Sequence, residues 1–505
     1  MMNPKSVVRS IRVGGAVVAT VLAGIVIAAT ISPSPKLVTN TTGGKNQNAT
    51  IDKSGKLIVF TSNVNDLAAS TFDFDGAGND FKAPLGTPPD PSCVNCSNAD
   101  ANGELYLWRL KAKGGDPANS IKQLTFTTGG GFDANQLPDI AQKGAHIAWA
   151  SDRDHTGGNA DANREIFSIA VSTGTITQVT SSTGGGSNAN RNASISDDGN
   201  VIVFDSTRDY NGVGGCTLTD GTTACDNADG NSEVMLWDRK LNKLTQVTVT
   251  TGDGTSANIR PRVSPEGLFI GFQSTRDFAA PAVGTCTLLD GTSACINTGA
   301  GVLNSEIMLF DVKLNKFTQV TNTTTAGGCT GAGANERVEI SKKGKFVSFQ
   351  STCESQLNPT PACGDCDGND EAFIADTKGK LVRQVTISKS GFNRVPRIAG
   401  GGAWMIMESN RNYKNLNPTH AKVLYVLKRS TKLGVGGFTG PGQLLDDPSS
   451  TLVQSLATKL VVVNLVGGFN STVEQFGAAT GGRFFSFDNN KAVGNQEVWF
   501  LDRNK

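Results

Sequence analysis

Two stretches of the chain carry hard oxygen ligands at the close spacing that a Ca²⁺ loop needs: Asp365-Cys366-Asp367-Gly368-Asn369-Asp370-Glu371 and Asp73-Phe74-Asp75-Gly76-Ala77-Gly78-Asn79-Asp80. Asp365, Asp367, Asn369 and Asp370, with Asp73 and Asp75, are the candidate metal ligands, and Ca²⁺ is the one candidate cofactor. Neither stretch follows the EF-hand pattern, whose Gly comes later, and ordinary polar turns would use the same residues. A second set is cationic. Arg191, Arg260, Arg262, Arg337, Arg394 and Arg397 differ between otherwise similar segments and suit an anion or an acidic polymer. Asp139, Glu336 and Glu339 stand in comparable positions, so a neutralised internal network is favoured over a ligand site for the same arginines. Catalysis has less to build on. The chain holds 3 His, of which His146 takes an apolar core position while His155 and His420 fall in loops, and no nucleophile-base-acid set stands out. No catalytic residue is assigned.

The 10 cysteines lie in close pairs within polar, Gly-rich segments: Cys93/Cys96, Cys216/Cys225, Cys286/Cys295 and Cys363/Cys366, which leaves Cys329 and Cys353 as a fifth pair. Local disulfides in an oxidising compartment are the favoured reading. Zinc is the alternative for the two C-x-x-C pairs, without a His near either.

The N-terminus points to the same compartment. Lys5, Arg9 and Arg12 precede an uncharged run from Val13 to Ile31 and then Ser32-Pro33-Ser34-Pro35. As a helix at ~1.5 Å per residue the run reaches roughly 28 Å, enough to span a bilayer. Val26-Ile27-Ala28 also offers small residues at cleavage spacing. Residues 1–35 therefore read as a signal peptide or a single membrane anchor with a Ser/Pro linker, and 36–505 as one exported domain, periplasmic or extracellular. With 46 basic and 45 acidic side chains and a net charge of +1, the chain has no polybasic footprint for nucleic acid.

Self-comparison gives the architecture. Aligned on Gly55, Gly144, Gly199, Gly267, Gly344, Gly402 and Gly482, seven copies of one unit appear. Each Gly is followed at five residues by Phe60, Trp149, Phe204, Phe272, Phe349, Met407 or Phe487, within a strand apolar on both faces. Asn-x-Glu and a hydrophobic strand come next, as at Asn231-Ser232-Glu233, and then a strand ending in Gln-x-Thr, as at Gln246/Thr248. The sixth unit departs, with His420-Ala421-Lys422. Four-stranded units that cannot cover their own faces are stable only when stacked, and a ring of them is a β-propeller. The expected fold is all-β: a seven-bladed β-propeller of four-stranded antiparallel blades. Its ring is closed by an N-terminal strand, 36–42, that completes the C-terminal blade and removes two edges.

Units such as Ile195-Ser196-Asp197-Asp198-Gly199-Asn200-Val201-Ile202-Val203-Phe204, followed by Ser206-Thr207-Arg208-Asp209, resemble the Ser-x-Asp-Gly repeats of TolB-like propellers. That family includes periplasmic scaffolds that bind other envelope proteins, propeller domains of serine peptidases and some polysaccharide lyases. No stretch reads as the separate N-terminal domain of TolB, or as an α/β-hydrolase domain with its Gly-x-Ser-x-Gly elbow. The long insertions fall between second and third strands, on one face of the ring, and hold eight of the ten cysteines. An exported, non-enzymatic scaffold that binds an envelope or extracellular protein through this long-loop face is the first reading. A carbohydrate-active or other ligand-processing propeller with an acidic site at the channel mouth is the alternative. Asn46, Asn135, Asn190, Asn258, Asn335 and Asn393, nine residues before each anchor Gly, and the recurring Arg-Asp turns read as scaffold.

Overall fold

The computed structural model describes residues 36–39, 44–64, 98–109, 121–129, 134–184, 190–252, 257–278, 281, 284–297, 304–324, 334–357, 368–388, 390–413, 420, 423–429, 444–445, 457–463, 476–478, 484–491 and 495–502. Residues 1–35 lie outside this set, as do Asp73, Asp75, Cys93, Cys96, Cys329, Cys363, Asp365, Cys366 and Asp367.

Six blades follow one another along the chain, each with four antiparallel strands in sequence order from the central axis outwards. Their first strands are Asn46–Ile51, Asn135–Ile140, Asn190–Ile195, Asn258–Val263, Asn335–Ile340 and Asn393–Ile398. Their second strands are Leu57–Ser62, His146–Ser151, Val201–Ser206, Phe269–Ser274, Phe346–Ser351 and Trp404–Ser409, buried along almost their whole length. The apolar residues of these strands interdigitate between neighbouring blades. Ala148 and Ile166 of blade 2, for example, share a core with Ile202, Phe204, Met235 and Trp237 of blade 3. A blade with two apolar faces has no stable existence alone, and burial between neighbours is what the sequence pattern demanded.

Every first strand is bulged at its third residue. The register against the second strand slips there, and Asn48, Leu137, Asn192, Arg260, Arg337 and Val395 all have φ between 48° and 61°. Asn tolerates this region, whereas a β-branched Val does so only when its surroundings dictate it. The bulge turns a backbone N–H out of the ladder toward the preceding blade. Arg260 N donates to Asp205 Oδ1 at 3.2 Å, and Val395 N donates to Gln350 Oε1 at 2.8 Å.

The expected ring of seven four-stranded blades is corrected: the propeller has six blades, and they are not uniformly four-stranded. Blades 3 and 4 have five strands, and Thr386–Ile387 pairs with Leu444–Leu445 as a small separate sheet. The remaining strands form a composite sheet of both chain ends, in which Lys36–Leu37 pairs antiparallel with Asn495–Asp502, followed by Phe484–Lys491 and Phe476–Ala478. The strand expected over 36–42 is thus two residues long. The composite sheet packs against the first strand of blade 1, but the packing that joins successive blades does not recur between it and blade 6 among the described elements. The sequence explains the seam. Val423 stands at the register of the third-strand Glu in blade 6, and Val473 stands nine residues before Gly482, where the six blades have Asn. Neither valine can make the polar inter-blade contact described below.

The long insertions also differ from expectation. In blades 3 and 4 they fold back along the outer edge, where Thr217–Leu218 and Thr285–Leu288 add a fifth strand parallel to the fourth strands Lys243–Gln246 and Lys316–Gln319. Cys216–Cys225 and Cys286–Cys295 are disulfides that close these hairpins, with Cα separations of 5.5 and 5.4 Å. The Gln of the Gln-x-Thr motif clamps the residue after each bridge. Gln246 accepts from Asp226 N at 2.8 Å and donates to Asp226 O at 2.7 Å, and Gln319 does the same with Ile296 at 2.9 and 2.8 Å. The insertions thereby cover strand edges that would otherwise present free N–H and C=O groups. Closing a loop of this size removes about 2–3 kcal/mol of chain entropy from the opened hairpin. Reduction under native conditions is therefore expected to expose 211–226 and 279–296 to proteolysis while the blade cores stay intact, as read by mass spectrometry of the first cleavage products.

Candidate functional site

The polar residues that recur in every unit converge at the blade junctions. Glu104, Glu165, Glu233, Glu306 and Glu371 open the third strands of blades 1 to 5 and are buried. Each carboxylate is met by its own blade and by the next. In blade 4, Glu306 Oε1 accepts from Thr323 N at 2.7 Å and Thr323 Oγ at 2.8 Å, while Oε2 accepts from the Thr321 hydroxyl and from Asn335 Nδ2 of blade 5 at 3.4 Å. The same Asn amide reaches Ser305 O at 2.7 Å. Equivalent bonds link Asn135 to Glu104, Asn190 to Glu165, Asn258 to Glu233 and Asn393 to Glu371, at 3.0 to 3.3 Å. Five such latches join six blades. The Asn-x-Glu, the Gln-x-Thr and the Asn before the Gly turn are parts of one contact.

The other end of the latch Asn is also held. Tyr210 and Tyr413 donate to the Oδ1 of Asn190 and Asn393 at 2.6 and 2.7 Å, and His155 Nε2 lies 2.9 Å from Asn135 Oδ1. Blade 4 has Phe278 in this slot, and there the Ser274 hydroxyl takes over, at 2.7 Å from Asn258 Oδ1. His155 is thus a structural residue with partners that sequence reasoning missed. The ring packs edge-on against Trp149 and Phe167, and burial lowers its pKa to about 4, so it stays neutral. The signal was present in the sequence as the aromatic slot after Ser-x-Arg-Asp, at Asp209-Tyr210 and Asp277-Phe278. His146, expected in the core, is instead half-buried, with its Nδ1 lacking a hydrogen-bond partner. The turn arginines act as expected of scaffold. Arg153, Arg208 and Arg276 donate to the carbonyls of Gly129, Gly184 and Gly252 in the links between blades.

A cavity of about 80 Å³ lies on the central axis, lined at the fifth position of the first strands by Thr50, Asp139, Ser194, Arg262, Glu339 and Arg397. Here the predicted arginines do come together, with their counter-charges. Glu339 lies 3.9 Å from Arg262 and 3.6 Å from Arg397, and Asp139 accepts from Ile195 N at 3.0 Å. Burial lowers the Arg397 pKa to about 10 and raises those of Asp139 and Glu339, against the pull of the neighbouring guanidinium groups. The remaining arginines lie nearer the long-loop end, each with a carboxylate: Arg191 with Asp205 at 3.0 Å, Arg260 and Arg337 with Glu336 at 3.0 and 4.0 Å, and Arg394 with Asp370 at 2.5 Å. A ligand anion would have to displace these partners.

Of the candidate Ca²⁺ ligands, Asn369 and Asp370 lie within the described residues. Asn369 Nδ2 donates to Ser388 O at 2.6 Å, and Asp370 is the partner of Arg394. Among the described residues no group of three or more His, Cys, Asp or Glu is placed to hold a metal. Cys353 is disulfide-bonded. The disulfides suit an oxidising compartment.

Latched and bulged blades of this kind, in sequence order around a central axis, define a six-bladed β-propeller. No family model matches the chain, and no curated protein does. Among solved structures it is similar to TolB from Acinetobacter baumannii, at 16% identity and a TM-score of 0.34, over 65% of this chain and 57% of that one. It is also similar to an oligogalacturonate lyase from Vibrio parahaemolyticus, at 10% identity and a TM-score of 0.46, over 92% of each chain. An acylaminoacyl peptidase from Pyrococcus horikoshii matches at 9% identity and a TM-score of 0.44, over 92% of this chain and 52% of that one. At these values the likeness is one of architecture and carries no activity across.

The latches make stability depend on pH. Burial raises the pKa of Glu233 and Glu306 to about 7, from an ordinary 4.5. The folded chain then holds these protons more tightly than the unfolded one, so their contribution is complete below pH 4.5 and is lost as pH rises through 7, by up to about 3 kcal/mol per group. Thermal melts should therefore show falling stability between pH 4.5 and 8, and Glu306→Gln should flatten that slope. Glu306→Ala, which strands Thr321 and Asn335, is expected to cost about 2–4 kcal/mol in denaturant titration.

Proposed function

We propose that the protein is an exported, non-enzymatic propeller that binds another envelope or extracellular protein through its long-loop face. The observation that carries this reading is the pair of disulfide-closed insertions on neighbouring blades 3 and 4. They are clamped to the blades by Gln246 and Gln319, and they hold apolar side chains in solvent, Val213 at 38% and Ile296 at 42% exposure. A rigid loop that displays an apolar residue loses little entropy on docking. The polar residues that recur between units, by contrast, are consumed by the latches and their braces. Ca²⁺ at the acid-rich loops remains part of the proposal as a stiffener of the same face.

The test is affinity capture from the native envelope extract with the wild-type chain and with Val213→Asp/Ile296→Asp, with and without a Ca²⁺ chelator. A stoichiometric protein held by the wild type and lost from the double variant is expected. A protein held equally by both, or none at all, overturns the reading.

A further inference from the structure

The near-zero net charge conceals a separation of charge between the two faces of the propeller. In an antiparallel blade the first-to-second and third-to-fourth turns lie on one face, opposite the long loops. On that short-turn face Lys53, Lys143, Lys240, Lys313, Lys343 and Lys378 are exposed, distributed over blades 1 to 5. None of the six has a carboxylate within ion-pair distance among the described residues. The acids of this face, Asp197, Asp198, Asp238, Glu266, Asp311 and Asp376, are half-buried where the lysines are exposed. Asp238 Oδ1 accepts from Lys240 N and Leu241 N at 2.8 and 3.1 Å, Asp311 Oδ1 from Lys313 N and Leu314 N at 3.0 Å each, and Asp376 Oδ1 from Lys378 N and Gly379 N at 3.1 and 2.9 Å. These carboxylates are held against the turn backbone, and the lysines beside them are exposed. On the opposite face Asp100, Asp161, Asp209, Asp229 and Asp277 are exposed. Leu241, Leu314 and Leu268, exposed at 70%, 67% and 43%, stand among the lysines.

The course of the chain supplies a second, independent observation. Lys36 pairs with Phe500, close to the Asp502 end of its strand, and that end belongs to the short-turn face. The uncharged run 13–31 is therefore joined to this face through Ser32-Pro33-Ser34-Pro35, whose four residues reach at most about 14 Å.

We propose that the short-turn face is a docking surface for the phosphate headgroups of an anionic bilayer. The lysines supply the charge, each a modest contribution near such a surface, and the exposed leucines supply apolar contact at the headgroup boundary. Retention of residues 13–31 as the membrane anchor that their sequence suits would keep this face within reach of the bilayer. This inference shares only the export with the function proposed above. Loss of the protein partner would leave it standing, and its own failure would leave the long-loop face untouched.

Lysine footprinting of the full chain tests it. The chain is bound to vesicles of phosphatidylcholine, or of phosphatidylcholine with about one-third phosphatidylglycerol, and treated with a membrane-impermeant amine reagent at about 0.05 M and 0.5 M salt. On the anionic vesicles at low salt, labelling of the six lysines is expected to fall at least about threefold and to recover at high salt. Lys45, on the long-loop face, and Lys122, on the outer strand of blade 1, should be labelled throughout. Equal labelling on both kinds of vesicle, or protection of Lys45 to the same degree, overturns the proposal, because binding through residues 13–31 alone distinguishes neither lipid charge nor face.

Discussion

The structure depends on a buried carboxylate that no single blade can satisfy. A Glu at the head of a third strand is drawn out of water by the packing of the blades, and leaving it unpaired there would cost several kcal/mol. The Thr or Ser pair at the end of the fourth strand supplies two hydroxyls and one backbone N–H, and the next blade supplies the Asn amide. The apolar faces between blades and the polar latch at their rim are thereby made at the same time. Neighbouring positions adapt to this contact. The slot beside the Asn accepts Tyr, His or Phe, provided that a hydroxyl or an imidazole N–H remains near the Oδ1.

Much of this was legible as separate recurrences. The Gly spacing, the strand with two apolar faces, Asn-x-Glu and Gln-x-Thr all appear on self-comparison, and the structure shows that the polar ones meet. The blade count was less secure because Gly482 and Phe487 reproduce the turn and the strand of a unit, while Val473 lacks the side chain that would join it to its neighbour. A strand can be recognised from its own residues, but a junction needs two partners far apart in sequence. The positive φ of Leu137 and Val395 is illegible for a related reason: nothing in those side chains favours it, and the surrounding ring enforces it.

The same limit applies to charge. Counting 46 bases against 45 acids suggests a molecule without an electrostatic character. The turn aspartates, however, are hydrogen-bonded to backbone N–H groups at the Lys-bearing turns, and the channel arginines are neutralised by Glu336, Glu339 and Asp205. What remains for solvent is an excess of exposed lysines on one face and of exposed aspartates on the other. The insertions modify only the second of these, so the two faces are free to acquire different partners without disturbing the latches between them.

The two-residue pairing of Lys36–Leu37 with Trp499 and Phe500 has a mechanical consequence. It is the first contact to bear any load applied through the N-terminal chain. Directly after it, Val38 is buried in the core of blade 1 with Ala49, Ile51 and Phe60, so a pull that frees Lys36–Leu37 passes at once to that blade. The N-terminal segment is therefore a tie: Lys36–Leu37 complete the closing sheet, and Val38, one residue on, fastens that sheet to blade 1.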